Sequence, residues 1–124
     1  MAKKTVLDVG NCVPDHSSIK AMLTTQFDVD VLQSHAAEDT LSLLRQQAVD
    51  LVLINRKLDR DYSDGTEILR QIKADSKLKP IPVMLVTNYA EHQEAAVALG
   101  AEYGFGKLEL QTDQTRQKLA SLLA

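Results

Sequence analysis

Asp50-Leu51-Val52-Leu53-Ile54-Asn55-Arg56-Lys57 is the stretch that settles the fold class. Four consecutive apolar side chains leave no polar alternation, so both faces of this segment expect burial, as in the central strand of a parallel sheet. The apolar run stops abruptly at an amide and two cations, which is how a strand leaves a sheet for a loop. The same pattern recurs at Thr5–Val9, Val29–Leu32, Ile81–Thr87 and, more weakly, Glu102–Gly106.

Between these runs the apolar residues take helical spacing. Ile19, Met22, Leu23 and Gln26 form one stripe, followed by Phe27; Ala37, Leu41, Leu44 and Ala48 form a second. Ile68, Leu69 and Ile72 form a third, and Ala95, Ala96 and Leu99 a fourth, closed by Gly100 as a C-cap. Leu119, Leu122 and Leu123 form the last. Pro14 suits a first helical turn, and Pro80 and Pro82 sit where a missing N–H does little harm. Strands that alternate with helices in this way require right-handed crossovers and a doubly wound α/β sheet. Such a sheet places function at the carboxyl ends of its strands. Those ends are Gly10-Asn11-Cys12, Asn55-Arg56-Lys57, Thr87-Asn88 and Gly106-Lys107.

Composition narrows the function classes. The chain has 124 residues, 44% hydrophobic and 25% charged, and is expected to form one domain over 1–124. Its net charge is -3, which argues against a nucleic-acid or anionic-membrane surface. Aromatic residues make up 4% and tryptophan is absent, so no base-stacking platform is expected. The one cysteine, Cys12, permits no internal disulfide and suggests a cytoplasmic protein. The apolar N-terminal run is interrupted by Asp8 and is too short for a leader or a membrane span. His16, His35 and His92 have no metal-ligand spacing, and Pro14-Asp15-His16 lacks the spacing of a cobalamin signature. Gly100, Gly104 and Gly106 do not open a helix as a dinucleotide fingerprint would. No cofactor and no metal are expected.

Five segments together resemble a response-regulator receiver domain: Val6–Cys12, Asp50–Leu58, Asp64-Gly65, Ile81–Asn88 and Gly100–Lys107. The resemblance covers nearly the whole chain and implies a flavodoxin-like sheet of strand order 2-1-3-4-5. It also implies a site: two acids after the first strand that hold a divalent cation, an aspartate phosphoacceptor after the third, a Thr or Ser after the fourth and a Lys after the fifth. On this chain Gly10 and Asn11 stand at the acidic pair and Asn55 at the phosphoacceptor, while Thr87 and Lys107 match the pattern. A neutral amide is a very poor nucleophile, and magnesium prefers charged oxygen ligands. The expectation is a degenerate receiver, not an enzyme, that neither accepts a phosphoryl group nor binds magnesium. Gly104 stands where the family often has an aromatic switch residue, flanked by Tyr103 and Phe105, and Leu108 replaces the usual proline after the lysine. The loop from Asn55 to Asp64-Gly65 is longer than usual and heavily charged.

Several residues carry paired readings. Thr87 and Lys107 are either an anion site or an inherited structural pair. Asp8 either partners Lys107 in place of the lost acids or bonds to a neighbouring helix. Cys12 is either a redox thiol or a partly buried bystander. With nothing expected after the fifth helix, the chain would act by docking a protein partner through the face built by helix four, strand five and helix five, where Tyr103 and Phe105 lie. The alternatives are a phosphoacceptor among Asp59, Asp61 and Asp64, or a small-ligand or anion binder in the cleft at the strand ends.

Overall fold

The computed structural model describes residues 3–124. Five parallel strands form one sheet: β1 (Lys4–Val9), β2 (Val29–Ser34), β3 (Leu51–Asn55), β4 (Val83–Val86) and β5 (Glu102–Phe105). Their order is β2-β1-β3-β4-β5. Helices α1 (Val13–Gln26), α2 (Ala37–Gln46), α3 (Thr66–Ala74), α4 (Ala90–Ala98) and α5 (Asp113–Leu123) connect and flank them. The expected architecture and strand order are those observed. The strand bounds shift by a residue or two at most ends, and Ala48 lies beyond the end of α2.

Period-two alternation divides the core. Leu7, Val9, Val52, Ile54, Val83 and Leu85 face α2, α3 and α4, against Leu44, Ile68, Leu69, Ile72 and Ala96. Val6, Leu51, Leu53, Met84, Val86 and Phe105 face α1 and α5, against Ile19, Met22, Leu23, Leu119 and Leu123. Each such aliphatic side chain contributes roughly 1.5–3 kcal/mol when fully buried. Phe105 is fully buried in this second layer, so it belongs to the core and not to an exposed docking face.

Strand order reverses between β1 and β3, where Val9 pairs with Ile54. Gly10 and Asn55 therefore leave the sheet side by side at the point where doubly wound sheets bind ligands. At the far edge the β4–β5 ladder slips: Met84 pairs with Glu102 but Val86 with Phe105. The extra residue makes a bulge. Gly100 has φ +108 just past α4, the left-handed backbone expected of its capping position.

Candidate functional site

The carboxyl edge of the sheet brings Gly10, Asn55, Thr87 and Lys107 around one region. Asn55, Thr87 and Lys107 line a common open cleft of about 210 Å³, together with Arg56, Lys57 and His92. Gly10 and Asn11 stand behind it at the end of β1.

Asn55 is held by both of its amide hydrogens. Nδ2 donates to the Gly10 carbonyl at 3.1 Å and to the Lys57 carbonyl at 2.7 Å. The opposite amide orientation would set Oδ1 against two carbonyl oxygens, so the network fixes the orientation. Asn55 thus acts as a clasp between the end of β1 and the start of the following loop. A carboxylate in the same place would have nothing to donate.

Gly10 is fitted as closely. Its φ is +76, and a Cβ there would come within 2.4 Å of Leu58 Cδ2. Leu58 is buried and belongs to the core. The Gly10 carbonyl also accepts from Asp59 N at 3.0 Å, so with Asn55 it already has two donors. Asn11 is fully buried and donates through Nδ2 to Asp8 Oδ1.

A divalent cation does not fit this donor set. The Gly10 carbonyl is spent, Asn55 presents N–H groups to its neighbours, and a cation would find no carboxylate at position 10, 11 or 55. No group of three or more His, Cys, Asp or Glu able to hold a metal occurs among the described residues.

The acids near this edge are Asp8 and Asp15. Asp8 is completely buried on the α1 face of β1, and its Oδ2 pairs with His16 Nδ1 at 2.6 Å. Burial pushes the Asp8 carboxyl above its ordinary value, against the pull of hydrogen bonds from His16 and Asn11 and of the charges on His16 and Lys107. No direct Asp8–Lys107 contact exists among the described residues. The idea that Asp8 replaces the missing partner is therefore corrected in favour of the bond to a neighbouring helix. Lys107 is not left without an anion either: its Nζ pairs with Asp15 Oδ2 at 2.7 Å, reaching across to α1. The hydrogen bond from Lys107 holds the Asp15 carboxyl below its ordinary value, with a smaller contribution from Cys12. Cys12 is exposed rather than partly buried, and its thiol contacts Asp15 at 3.2 Å. Sequence reasoning missed Asp15 and His16. Their signal was spacing: both follow Pro14 in the first turn of α1, which begins right after the β1 terminus.

Thr87 lies at the cleft with Oγ1 3.1 Å from His92 Nδ1 and accepting from Tyr89 N at 3.4 Å. Behind it, Gln93 is buried, which the sequence did not reveal. Its Nε2 donates to the Leu85 carbonyl at 2.9 Å, and its Oε1 accepts from Gly104 N at 2.8 Å. Gln93 thereby satisfies the two backbone groups that the β4–β5 bulge separates. A Cβ on Gly104 would lie 2.3 Å from the Leu85 carbonyl oxygen. The position can therefore hold no aromatic side chain without displacing β4. Tyr103 beside it is exposed, with Lys118 Nζ 4.7 Å from its ring centroid.

The candidate acids in the loop are engaged elsewhere. Asp61 accepts from the Ser63 hydroxyl and N–H, which hold its carboxyl low. Asp64 accepts from Thr66 N and Oγ1 at the start of α3. Asp59 lies 3.6 Å from His35. None of the three lines the cleft.

The model of the response regulator receiver domain family matches residues 12–108. The chain belongs to the response-regulator receiver family. Solved receivers share its fold. The signal receiver domain of a DNA-binding response regulator (merR) from Colwellia psychrerythraea 34H aligns with a TM-score of 0.80 at 22% identity, covering 97% of this chain and 98% of that one. The chemotaxis response regulator CheY4 of Vibrio cholerae gives 0.72 at 15%, covering 98% and 97%. A phosphorylated cyanobacterial phytochrome response regulator, RcpA, gives 0.69 at 23%, covering 98% and 89%. No curated protein sequence matches the chain. Among the described residues of this receiver, no helix is long and apolar enough to cross a membrane.

Proposed function

We propose that this receiver domain signals by docking to a protein partner without accepting a phosphoryl group. The observation that carries the reading is the Asn55 clasp. The residue at the phosphoacceptor position is an amide whose two hydrogens hold Gly10 and Lys57 together. Its structural duty is one that an aspartate could not perform. The crowding of Gly10 against Leu58 supports the same reading at the acidic pair, because a longer residue there would have to displace a core side chain.

In this reading Thr87 and Lys107 keep their family positions but not their family task, and Gly104 has lost the aromatic switch. The domain holds one conformation, and recognition depends on that conformation rather than on a phosphorylation cycle. The docking face is α4-β5-α5, where Tyr103 and Val97 are exposed. The protein is a cytoplasmic binding module and not an enzyme, with its free thiol at Cys12 suited to a reducing compartment.

Thermal melting with Mg²⁺ and beryllofluoride, an acyl-phosphate mimic, tests this. The melting temperature should be unchanged by the pair beyond the effect of either alone. A saturable, Mg²⁺-dependent rise would overturn the reading, since it would require an intact cation and acceptor pocket.

A further inference from the structure

Two titratable side chains near the carboxyl edge of the sheet face each other without bonding. His35 follows β2 directly, and Asp59 lies in the loop after β3. Their side chains are only 24% and 20% exposed. His35 Nδ1 and Asp59 Oδ1 are both shut off from solvent, and neither has a hydrogen-bond partner among the described residues. The two atoms stand 3.6 Å apart, beyond the range of about 2.7–3.2 Å in which an N–H bonds to oxygen. The same chain shows the same kind of pair closed: His16 Nδ1 lies 2.6 Å from Asp8 Oδ2. Buried polar atoms are almost always bonded, so a pair left open in this way calls for a physical cause.

Both residues are fixed at the backbone. His35 N donates to Asp39 Oδ2 at 2.9 Å, in the turn that starts α2. Asp59 N donates to Gly10 O at 3.0 Å, and the preceding Leu58 is buried in the core. Beyond Asp59 the loop is exposed from Arg60 to Ser63. It turns back through Tyr62 at φ +59, a left-handed conformation that tyrosine disfavours. Tyr62 N donates to Leu58 O at 3.0 Å, and Leu58 N to Ser63 O at 2.9 Å. A residue held in such a conformation persists only while surrounding contacts hold it there.

Protonation decides whether the open contact closes. A neutral imidazole has one N–H, and with that proton on Nε2 the Nδ1 lone pair confronts a carboxylate oxygen. The imidazolium carries N–H on both nitrogens, so Nδ1 donates to Asp59 in a charge-assisted bond of about 2.7–2.9 Å. Closing from 3.6 Å needs a movement of less than about 1 Å. The carboxylates around His35 are Asp59 from the loop and Asp39 from α2, which the charge on His35 also reaches. No Lys or Arg pairs with either among the described residues. Histidine is the side chain whose charge ordinarily changes between about pH 5 and 8.

We propose that His35 and Asp59 form a proton-operated latch: the imidazolium closes on Asp59 and pins the loop of residues 56–64 to the corner between β2 and α2, and the neutral ring releases it. The sheet and its helices keep one arrangement, and only the loop responds. Asn55 grips this loop at the Lys57 carbonyl, so the latch acts on the cleft at the strand ends. The latch does not depend on the docking role proposed above, because it is defined by its own two side chains.

Nuclear magnetic resonance of the whole domain from about pH 5 to 8 tests this, with ionic strength held constant and EDTA present to exclude a bridging metal. The amide shifts of residues 59–63 should follow the same midpoint as the His35 ring. Amide exchange at Leu58 and Tyr62, corrected for the intrinsic effect of pH, should be about threefold faster or more at the alkaline end. His35→Gln should abolish the loop's response. Asp59→Asn should abolish it as well and lower the midpoint of the His35 ring. His92→Gln, which removes the imidazole on the other side of the cleft, should leave the response intact. Loop shifts that ignore the His35 midpoint, or a response that persists in Asp59→Asn, would overturn the latch.

Discussion

Replacing Asn55 with aspartate restores the residue that the receiver pattern expects, and the structure predicts that it harms the fold. The Nδ2 group donates two hydrogen bonds, to Gly10 O at 3.1 Å and Lys57 O at 2.7 Å. Each such bond contributes about 0.5–1.5 kcal/mol net, so their joint loss costs about 1–3 kcal/mol. The new carboxylate also faces two carbonyl oxygens and must rotate towards water or take up a proton. Rotation is possible because the site is only partly buried, which keeps the estimate within that range. Protonation restores one donor, so the folded variant binds a proton more tightly than the unfolded chain. The penalty at position 55 should be complete at pH 7 and should shrink as the pH falls towards the ordinary aspartate value near 4. Urea unfolding at pH 7 and pH 5, with the slope checked for constancy, measures it. An Asn55→Asp variant as stable as the parent at pH 7 would refute the clasp.

Gln93→Leu keeps the buried volume but leaves Leu85 O and Gly104 N without partners. At about 1–3 kcal/mol for each orphaned group the loss should be at least about 2 kcal/mol, seen as a lower urea midpoint; a loss below about 0.5 kcal/mol would show that β4 and β5 close without it. Asp8→Asn should remove a pH dependence. Burial raises the folded Asp8 value above 3.8, so the folded state holds its proton more tightly. Its contribution to stability therefore falls as pH rises from near the unfolded value through the raised folded value. The parent should lose stability relative to the asparagine variant over that interval, and Asn11, whose Oδ1 has no partner, can turn to accept from the new amide. Parallel stability curves across acidic pH would contradict this.

Periodicity made the fold legible. Leu51–Ile54 and Ile81–Thr87 had to be buried strands, and the stripes between them had to be helices on two faces. The site was legible only in its vacancies. Gly10, Asn11 and Asn55 announced missing negative charge, but the anion that meets Lys107 comes from α1, where Asp15, like the His16 that pairs with Asp8, looked like an ordinary polar residue of a first turn. Which side chain of a helical turn meets a strand end depends on how the helix packs, and a one-dimensional pattern does not contain that. Gln93 was hidden for a related reason: its value comes from a bulge between β4 and β5, a shift of one residue that leaves no periodic trace. Gly104 was noted in the sequence for its missing side chain, and its closeness to Leu85 O gives a steric reason for glycine there. Phe105 was misplaced because Tyr103 and Phe105, two residues apart, would share a face of a regular strand. The register slip between the Met84–Glu102 and Val86–Phe105 pairs separates them, so Phe105 turns into the core while Tyr103 stays exposed.

The central claim is that this receiver does not accept a phosphoryl group. The most direct measurement is the intact mass of the domain after incubation with acetyl phosphate and Mg²⁺ at neutral pH. The account predicts one species at the unmodified mass. A Mg²⁺-dependent gain of one phosphoryl group would contradict it, and mapping that group to Asp59, Asp61 or Asp64 would identify the acceptor that took over.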